Sequence, residues 1–231
     1  ARTAPLGVMG DHLHPKGEWM VGYKYMRMDM SGMRDGTSDL SAEDIVSNAA
    51  RFPNPTGTPA GFRVVPIEMN TDMHMFSAMY GVTDWLTVMA MGSYVKKEMD
   101  HVTFQGLAGT NRLGEFTTRA SGIGDSAVSG LFKLYEQDNM SIHANLGLSI
   151  PTGSIDEQDD VLAPNGTRPT LRLPYAMQLG SGTFDAMPGL IYTGHQGDWG
   201  WGAQYSATIR LEDENSENYQ LGDRHGVTAW A

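Results

Sequence analysis

The chain has 231 residues, a formal net charge of −11 and no cysteine. This length allows one domain of ordinary size or part of a larger one, and without thiols the chain has neither disulfides nor thiolate metal sites. The acidic balance excludes nucleic acid as a partner, because binding to phosphates requires a basic surface. No apolar run reaches the roughly 18 residues that a membrane-spanning helix needs.

Residues 1–16 predict an irregular segment, which we expect in the periplasm, because prolines and glycines interrupt any regular pattern. Residues 17–231 predict a β-barrel domain, and its strand 1 covers about residues 18–30. Residues 31–65 predict a long loop rich in glycine, proline and asparagine. Within this loop, a capping-type start at Ser41 predicts one short helix.

Two alternating segments around the turn 81–84 predict a hairpin, with strands 2 and 3 over about residues 69–80 and 85–99. A loop is predicted over 100–120. Six further strands are predicted, separated by turn or loop residues, over about 124–135, 141–150, 171–179, 184–193, 199–211 and from 219 towards the end of the chain.

The lengths of the connections indicate the class of fold. Connections after strands 1, 3 and 5 are long, those after strands 2, 4, 6 and 8 are short, and only the short connection after strand 7 breaks the alternation. Outer-membrane barrels combine short periplasmic turns with longer extracellular loops. We therefore predict an all-β transmembrane antiparallel up-and-down β-barrel, with loops 31–65, 100–120 and 152–170 outside the cell. A soluble sandwich or barrel would show the same alternation within each strand.

Five short segments follow one another in a distinctive order: YGVTD at 80–84, SGIGD at 121–125, NLGLSIPTGS at 145–154, QLGSGTFD at 178–185 and LGDRH at 221–225. Together they resemble outer-membrane proteins of the family labelled MetA-pathway of phenol degradation, often called transporters. The resemblance runs from about residue 17 to the end. It implies a barrel of about twelve strands in the outer membrane of a Gram-negative bacterium, of which about nine are visible here, and the passage of small, often hydrophobic compounds.

Methionines concentrate on one face of the first three strands. If the apolar faces of strands 5 and 8 contact lipid, alternation directs these methionines into the barrel. Soft thioethers select Cu(I)-like ions, so this wall is a candidate path for copper or silver. The alternative is that flexible methionine fills the interior. The candidate metal-binding methionines are Met26, Met28, Met30, Met73, Met75, Met89 and Met91.

Other polar residues are candidates for the lumen or for metal binding. His12 and His14 could bind a metal, although two histidines alone are a weak indication. Inward charges either impose selectivity on a channel or pair with each other to fill it, and we expect pairing. The predicted lumen-lining residues are Asp125, Lys133, His143, Asn145, Asp185, Gln204 and Arg210.

The sequence contains no nucleophile elbow, phosphate loop or HExxH motif, so it predicts a protein that is not an enzyme and has no cofactor other than the candidate Cu(I). The expected function is a channel or uptake barrel for passive passage of a small solute through a lipid bilayer. Two alternatives remain open. One is a plugged barrel with a structural role or with a protein partner at its extracellular loops, and the other is soft-metal handling in a methionine-lined lumen.

Overall fold

The structure is a computed structural model that describes residues 4–5, 8, 10–48 and 62–231. Parts of the predicted segment 1–16 and of the predicted loop 31–65 therefore lie outside the described residues. The elements are β1 (Trp19–Ser31), β2 (Met33–Asp35), β3 (Ser38–Leu40), α1 (Ala42–Ser47), β4 (Val64–Thr83), β5 (Leu86–Phe104), β6 (Arg112–Ile123), β7 (Ser126–Gln137), β8 (Met140–Ile150), β9 (Gln158–Asp160), β10 (Thr170–Arg172), a 3₁₀ turn (Tyr175–Met177), β11 (Asp185–Gln196), β12 (Trp199–Arg210) and β13 (Arg224–Trp230).

One antiparallel sheet curls into a half-barrel and dominates the molecule. Its strand order is β1-β4-β5-β7-β8-β11-β12-β13, and β6 also pairs with β5. This order follows the chain, which confirms the predicted all-β, up-and-down arrangement. Among the described residues, β1 and β13 form the two edges of the sheet and do not pair with each other.

β6 and β7 together occupy one position beside β5. The C-terminal half of β5 pairs with β6 and its N-terminal half with β7, and only residues 124–125 separate β6 from β7. The loop predicted over 100–120 is therefore wrong for most of its length, since β5 runs to Phe104 and β6 begins at Arg112. Pairing satisfies the backbone groups of both strand extensions, and the loop-like composition marks only the tip of a long hairpin.

The strand predicted over 171–179 is also wrong. β8 pairs directly with β11, and residues 151–184 between them hold only the short β9–β10 pair and the 3₁₀ turn. Pro174 directly precedes this turn, and its fixed φ and missing N–H disfavour a strand at this point. Residues 151–184 are termed the inner loop below.

This correction completes the alternation of connections. At one end of the sheet, the turn end, all three connections have two residues: 84–85, 138–139 and 197–198. At the other end, the loop end, all four connections are longer: 32–63, 105–111, 151–184 and 211–223. The short connection after predicted strand 7, which broke the predicted alternation, is the turn 197–198, and it falls at the turn end once the false strand is removed.

α1 lies at the loop end, and the predicted Ser41 is its N-cap residue. The Ser41 hydroxyl accepts the Asp44 N–H at 3.1 Å and the Asp44 carboxylate accepts the Ser41 N–H at 3.0 Å, which forms a capping box. The two buried residues of the helix, Ile45 and Val46, pack against apolar side chains of β4 and β5. Within the described ranges, no helix is both long and apolar enough to cross a membrane.

Candidate functional site

The two faces of the curled sheet differ in exposure. Outward residues such as Val88 and Leu146 are accessible, and Leu146 exposes 60% of its surface. Inward residues such as Leu131 and Ile191 are fully buried under other parts of the chain. A one-layered sheet in a soluble protein buries its apolar face and exposes its polar face, so an accessible apolar outer face reverses the usual arrangement.

The outer face carries no Asp, Glu, Lys or Arg from the turn end to the middle of β1, β4 and β5. Its residues there include Trp19, Val21, Tyr23, Tyr25, His74, Phe76, Ala78, Tyr80, Val88, Ala90 and Tyr94. Aromatic rings lie at both borders: the Trp19 and Tyr80 rings are 4.5 Å apart near the turn end, and the Tyr23 hydroxyl and His74 Nδ1 are 2.8 Å apart further along. Outward charges begin beyond this region, where Arg119 pairs with Glu98 at 2.9 Å.

Residues 10–17, the N-terminal segment, lie across the inner face at the turn end. The His14 N–H donates to the Thr87 hydroxyl at 2.8 Å, and the His143 Nε2–H donates to the Gly10 carbonyl at 2.7 Å. Gly81 lies directly beneath the segment, because a Cβ at this position would be 2.6 Å from the His14 carbonyl oxygen. The lack of a side chain at Gly81 therefore permits this close approach.

Apolar side chains under the N-terminal segment form the turn-end cluster. Its buried members are Met79, Met89 and Leu131, and the residues packed against them are Leu13, Met20 and Met91. Met79 lies opposite Met89 across β4 and β5, and each exposes 3% of its surface. Met20 of β1 lies opposite Met79. Three methionines on three adjacent strands thus form one row.

The inner loop covers the inner face of the sheet at the loop end. Asp125 accepts the Gly153 N–H at 3.0 Å, the Ser181 N–H at 2.7 Å and the Ser181 hydroxyl at 2.9 Å. From β5, Lys97 Nζ donates to the Gln178 carbonyl at 2.5 Å. Beneath the loop lies the loop-end cluster, which comprises Val95, Met99, Ala120, Leu173, Met177 and Leu179, with Met69 and Met73 packed against it.

Of the four charged residues predicted in the lumen, Lys133, Asp185 and Arg210 form ion pairs, whereas Asp125 accepts hydrogen bonds from the inner loop. Asp185, which is 2% exposed, forms an ion pair with Arg210 from the neighbouring strand and also accepts the Thr183 hydroxyl at 2.8 Å. Lys133 pairs with Glu136 at 2.6 Å near the turn end. The other predicted lumen residues also lie on the inner face: Asp125 and His143 hold the two covering segments, Gln204 lies opposite Ile191, and the Asn145 Oδ1 is buried with no partner among the described residues.

The predicted metal-binding methionines do not come together at one place. Met26, Met28 and Met30 lie on the edge strand β1 and remain exposed, Met73 packs against the loop-end cluster, Met75 lies opposite Ser93, and Met89 and Met91 belong to the turn-end cluster. No group of three or more His, Cys, Asp or Glu side chains within the described ranges is arranged to hold a metal ion. The predicted metal-binding set leaves out Met20 and Met79, although their parity places them on the same wall, and it leaves out Met177, which lies in the wrongly predicted strand 171–179.

A cavity of about 1560 Å³ opens at the turn end between the N-terminal segment and β7, β8, β11 and β12. Its lining mixes histidine, acidic and aromatic side chains, among them His195 and Trp230. Asp11 and His12 at its rim are joined by a hydrogen bond of 2.9 Å. This hydrogen bond raises the pKa of His12 and lowers the pKa of Asp11, because it favours the charged form of each.

A comparison of the sequence with models of protein families finds no family that matches, and a comparison with curated proteins finds no relative. The resemblance to the phenol-degradation family therefore rests on the five segments alone and stays a prediction.

Proposed function

We propose that this chain is a β-barrel protein of the outer membrane of a Gram-negative bacterium, through which a small solute passes passively. The observation that carries the proposal is the accessible part of the outer face between the turn end and the middle of the strands, which is apolar, uncharged and bordered by aromatic rings. Outer-membrane barrels present such an apolar band to lipid, between aromatic girdles at the two interfaces. The distribution of short turns and long loops at opposite ends supports the same conclusion.

The inner face supports a closed resting state of this channel. The N-terminal segment covers its turn-end half, and the inner loop covers its loop-end half. Both segments are held by hydrogen bonds to the sheet and by apolar contacts with the two clusters. Neither contributes a strand to the main sheet, so either can leave without breaking a strand pair of that sheet. Passage of a solute requires that at least the inner loop moves aside.

The cavity at the turn end indicates the size and chemistry of the solute. A volume of about 1560 Å³ with aromatic and polar walls is large enough for a small organic molecule. Trp230 offers apolar contact, while Ser141 and Thr193 offer hydroxyl groups. A small, partly hydrophobic organic compound fits this lining best.

Reconstitution into liposomes tests the proposal. The protein should extract only with detergent and should admit small uncharged solutes faster than empty liposomes do, with the rate falling as the solutes grow. If the protein is shown to be inserted and these liposomes take up solute no faster than empty liposomes do, the proposed passage of a solute is contradicted.

A plugged barrel with a structural or partner-binding role is the second candidate, and the two segments that fill the inner face favour it. The same liposomes distinguish the candidates. A plugged barrel stays closed even when the hydrogen bonds of Asp125 to the inner loop are removed, whereas a closed channel opens.

A further inference from the structure

Three accessible methionines occupy consecutive inward positions of the edge strand β1. Met26, Met28 and Met30 expose 39%, 41% and 38% of their surfaces. Methionine is among the residue types most often buried, and single exposed apolar side chains are ordinary, whereas a row of three on one face requires an explanation. Positions two apart in a strand share a face and lie roughly 6.6 Å apart. The inner face of β1 therefore presents a continuous row of thioethers.

The neighbouring strand β4 adds two more thioethers to this row. Met26 lies directly opposite Met73, and Met30 lies directly opposite Met69. Residues directly opposite each other in an antiparallel pair share a face, and their Cβ atoms are about 4.5–5.5 Å apart. Met69 and Met73 pack against the loop-end cluster, which places all five side chains on the inner face. Met26, Met28, Met30, Met69 and Met73 are termed the methionine patch.

Met28 occupies the centre of the methionine patch. Its partner across the strand pair is Thr71, and the residues on either side of Thr71 on the same face are Met69 and Met73. These two are therefore the diagonal neighbours of Met28, about 7–8 Å away, a distance that long side chains bridge. Because methionine is unbranched and flexible, sulfur atoms from both strands can meet around one point beside the short side chain of Thr71.

We propose that the methionine patch binds one soft monovalent cation, Cu(I) or Ag(I), with Met28 as the central ligand and Met69 and Met73 as its partners. Thioethers select soft ions, whereas Zn²⁺ takes thiolate, imidazole and carboxylate ligands. The nearest ammonium group along this row, that of Lys97 opposite Thr71, donates to the Ala176 and Gln178 carbonyls of the inner loop. The net charge of −11 attracts cations to the protein.

Four of the seven methionines that the sequence predicts as metal ligands thus belong to one site, to which Met69 is added. The remaining three, Met75, Met89 and Met91, lie outside it. The site does not depend on the passage of a solute, since a plugged barrel would carry the same patch.

Calorimetric titration of the detergent-solubilised full chain with silver nitrate, in chloride-free buffer, tests the site. The wild type should bind one Ag⁺ tightly. Met28→Leu keeps the volume and removes the central sulfur atom, so it should bind at least about tenfold more weakly. The variant Met26→Leu/Met28→Leu/Met30→Leu should bind at least about 100-fold more weakly. All three positions are accessible, so neither variant should change the β-sheet content measured by circular dichroism.

The matched control is Met33→Leu. Met33 is 38% exposed, as the patch is, but it lies in the separate two-stranded sheet of β2 and β3, so its loss should leave silver binding unchanged. X-ray absorption of the wild type loaded with Cu(I) should show sulfur ligands, and the triple variant should lose them. Absence of tight silver binding in the wild type, equal affinity in the triple variant, or an equal loss in Met33→Leu would overturn the proposal.

Discussion

Replacing Asp125 with alanine should release the inner loop while the sheet stays folded. The carboxylate accepts two backbone N–H groups, from Gly153 and Ser181, and the Ser181 hydroxyl. After the substitution the hydroxyl keeps an acceptor, the Thr183 carbonyl at 3.1 Å. The two N–H groups lose theirs, and an unsatisfied buried donor costs about 1–3 kcal/mol. Because the site is partly buried and water can reach it, we expect docking of the loop to weaken by about 2–4 kcal/mol in total.

Hydrogen exchange measured by mass spectrometry reports this change directly. Since about 1.4 kcal/mol corresponds to a factor of ten, amides of the inner loop should exchange about 30-fold to 700-fold faster in Asp125→Ala. Amides of β8 and β11 should keep their protection, because their pairing does not involve Asp125. Solute uptake by liposomes that contain the variant should rise above that of the wild type.

The control is Asp213→Ala, which removes the same charge from an exposed position in another loop at the same end. It should change neither exchange nor uptake. Inner-loop exchange at the wild-type rate in Asp125→Ala would refute the assigned role of Asp125. Equal loss of protection in β8 and β11 would show instead that Asp125 stabilises the whole sheet.

Three further predictions concern the turn end. Gly81→Ala places a methyl group against the backbone of the N-terminal segment, so limited proteolysis of residues 10–17 should become faster, whereas Gly92→Ala, whose Cβ would meet only one hydroxyl at 3.8 Å, should leave it unchanged. Leu131→Ala empties a fully buried position and should lower the free energy of unfolding by about 2–5 kcal/mol; a loss below about 1 kcal/mol would contradict the packing of the turn-end cluster. An NMR titration should give His12 a pKa above the ordinary value of about 6.5, so that it stays protonated to higher pH, and Asp11→Asn should return that pKa to the ordinary range.

Alternation predicts a buried face more reliably than it predicts a strand. In 141–150 the period of two marks a real strand, β8. In 171–179 the same period places Leu173, Met177 and Leu179 in the loop-end cluster, although the segment is a loop. Pro174 disfavours pairing there, and the apolar side chains of the loop pack onto the inner face of the sheet. The alternation in the sequence indicates which side chains of this segment are buried, but it does not indicate whether the backbone pairs with a neighbouring strand.

The packing of the turn end could be predicted only in part. The parity of Met79 and Met89 follows from the strand pattern, and so does their position on one wall. The contact of His14 with Thr87 joins residues 73 positions apart and depends on the bare backbone of Gly81. No local pattern in the irregular N-terminal segment predicts such a contact, because a loop that packs onto a sheet shows no regular repeat of apolar and polar residues in its sequence.

The central claim is that the outer face contacts lipid, and spin labels on single cysteines test it most directly because the chain has no cysteine of its own. Labels at Val88 and Leu146 should report on the apolar region, and a label at Glu98 on the charged region of the same face. In a bilayer, we predict that the labels at Val88 and Leu146 are accessible to oxygen and shielded from a water-soluble nickel chelate, with the reverse at Glu98. Equal access of the chelate to all three positions would contradict the claim.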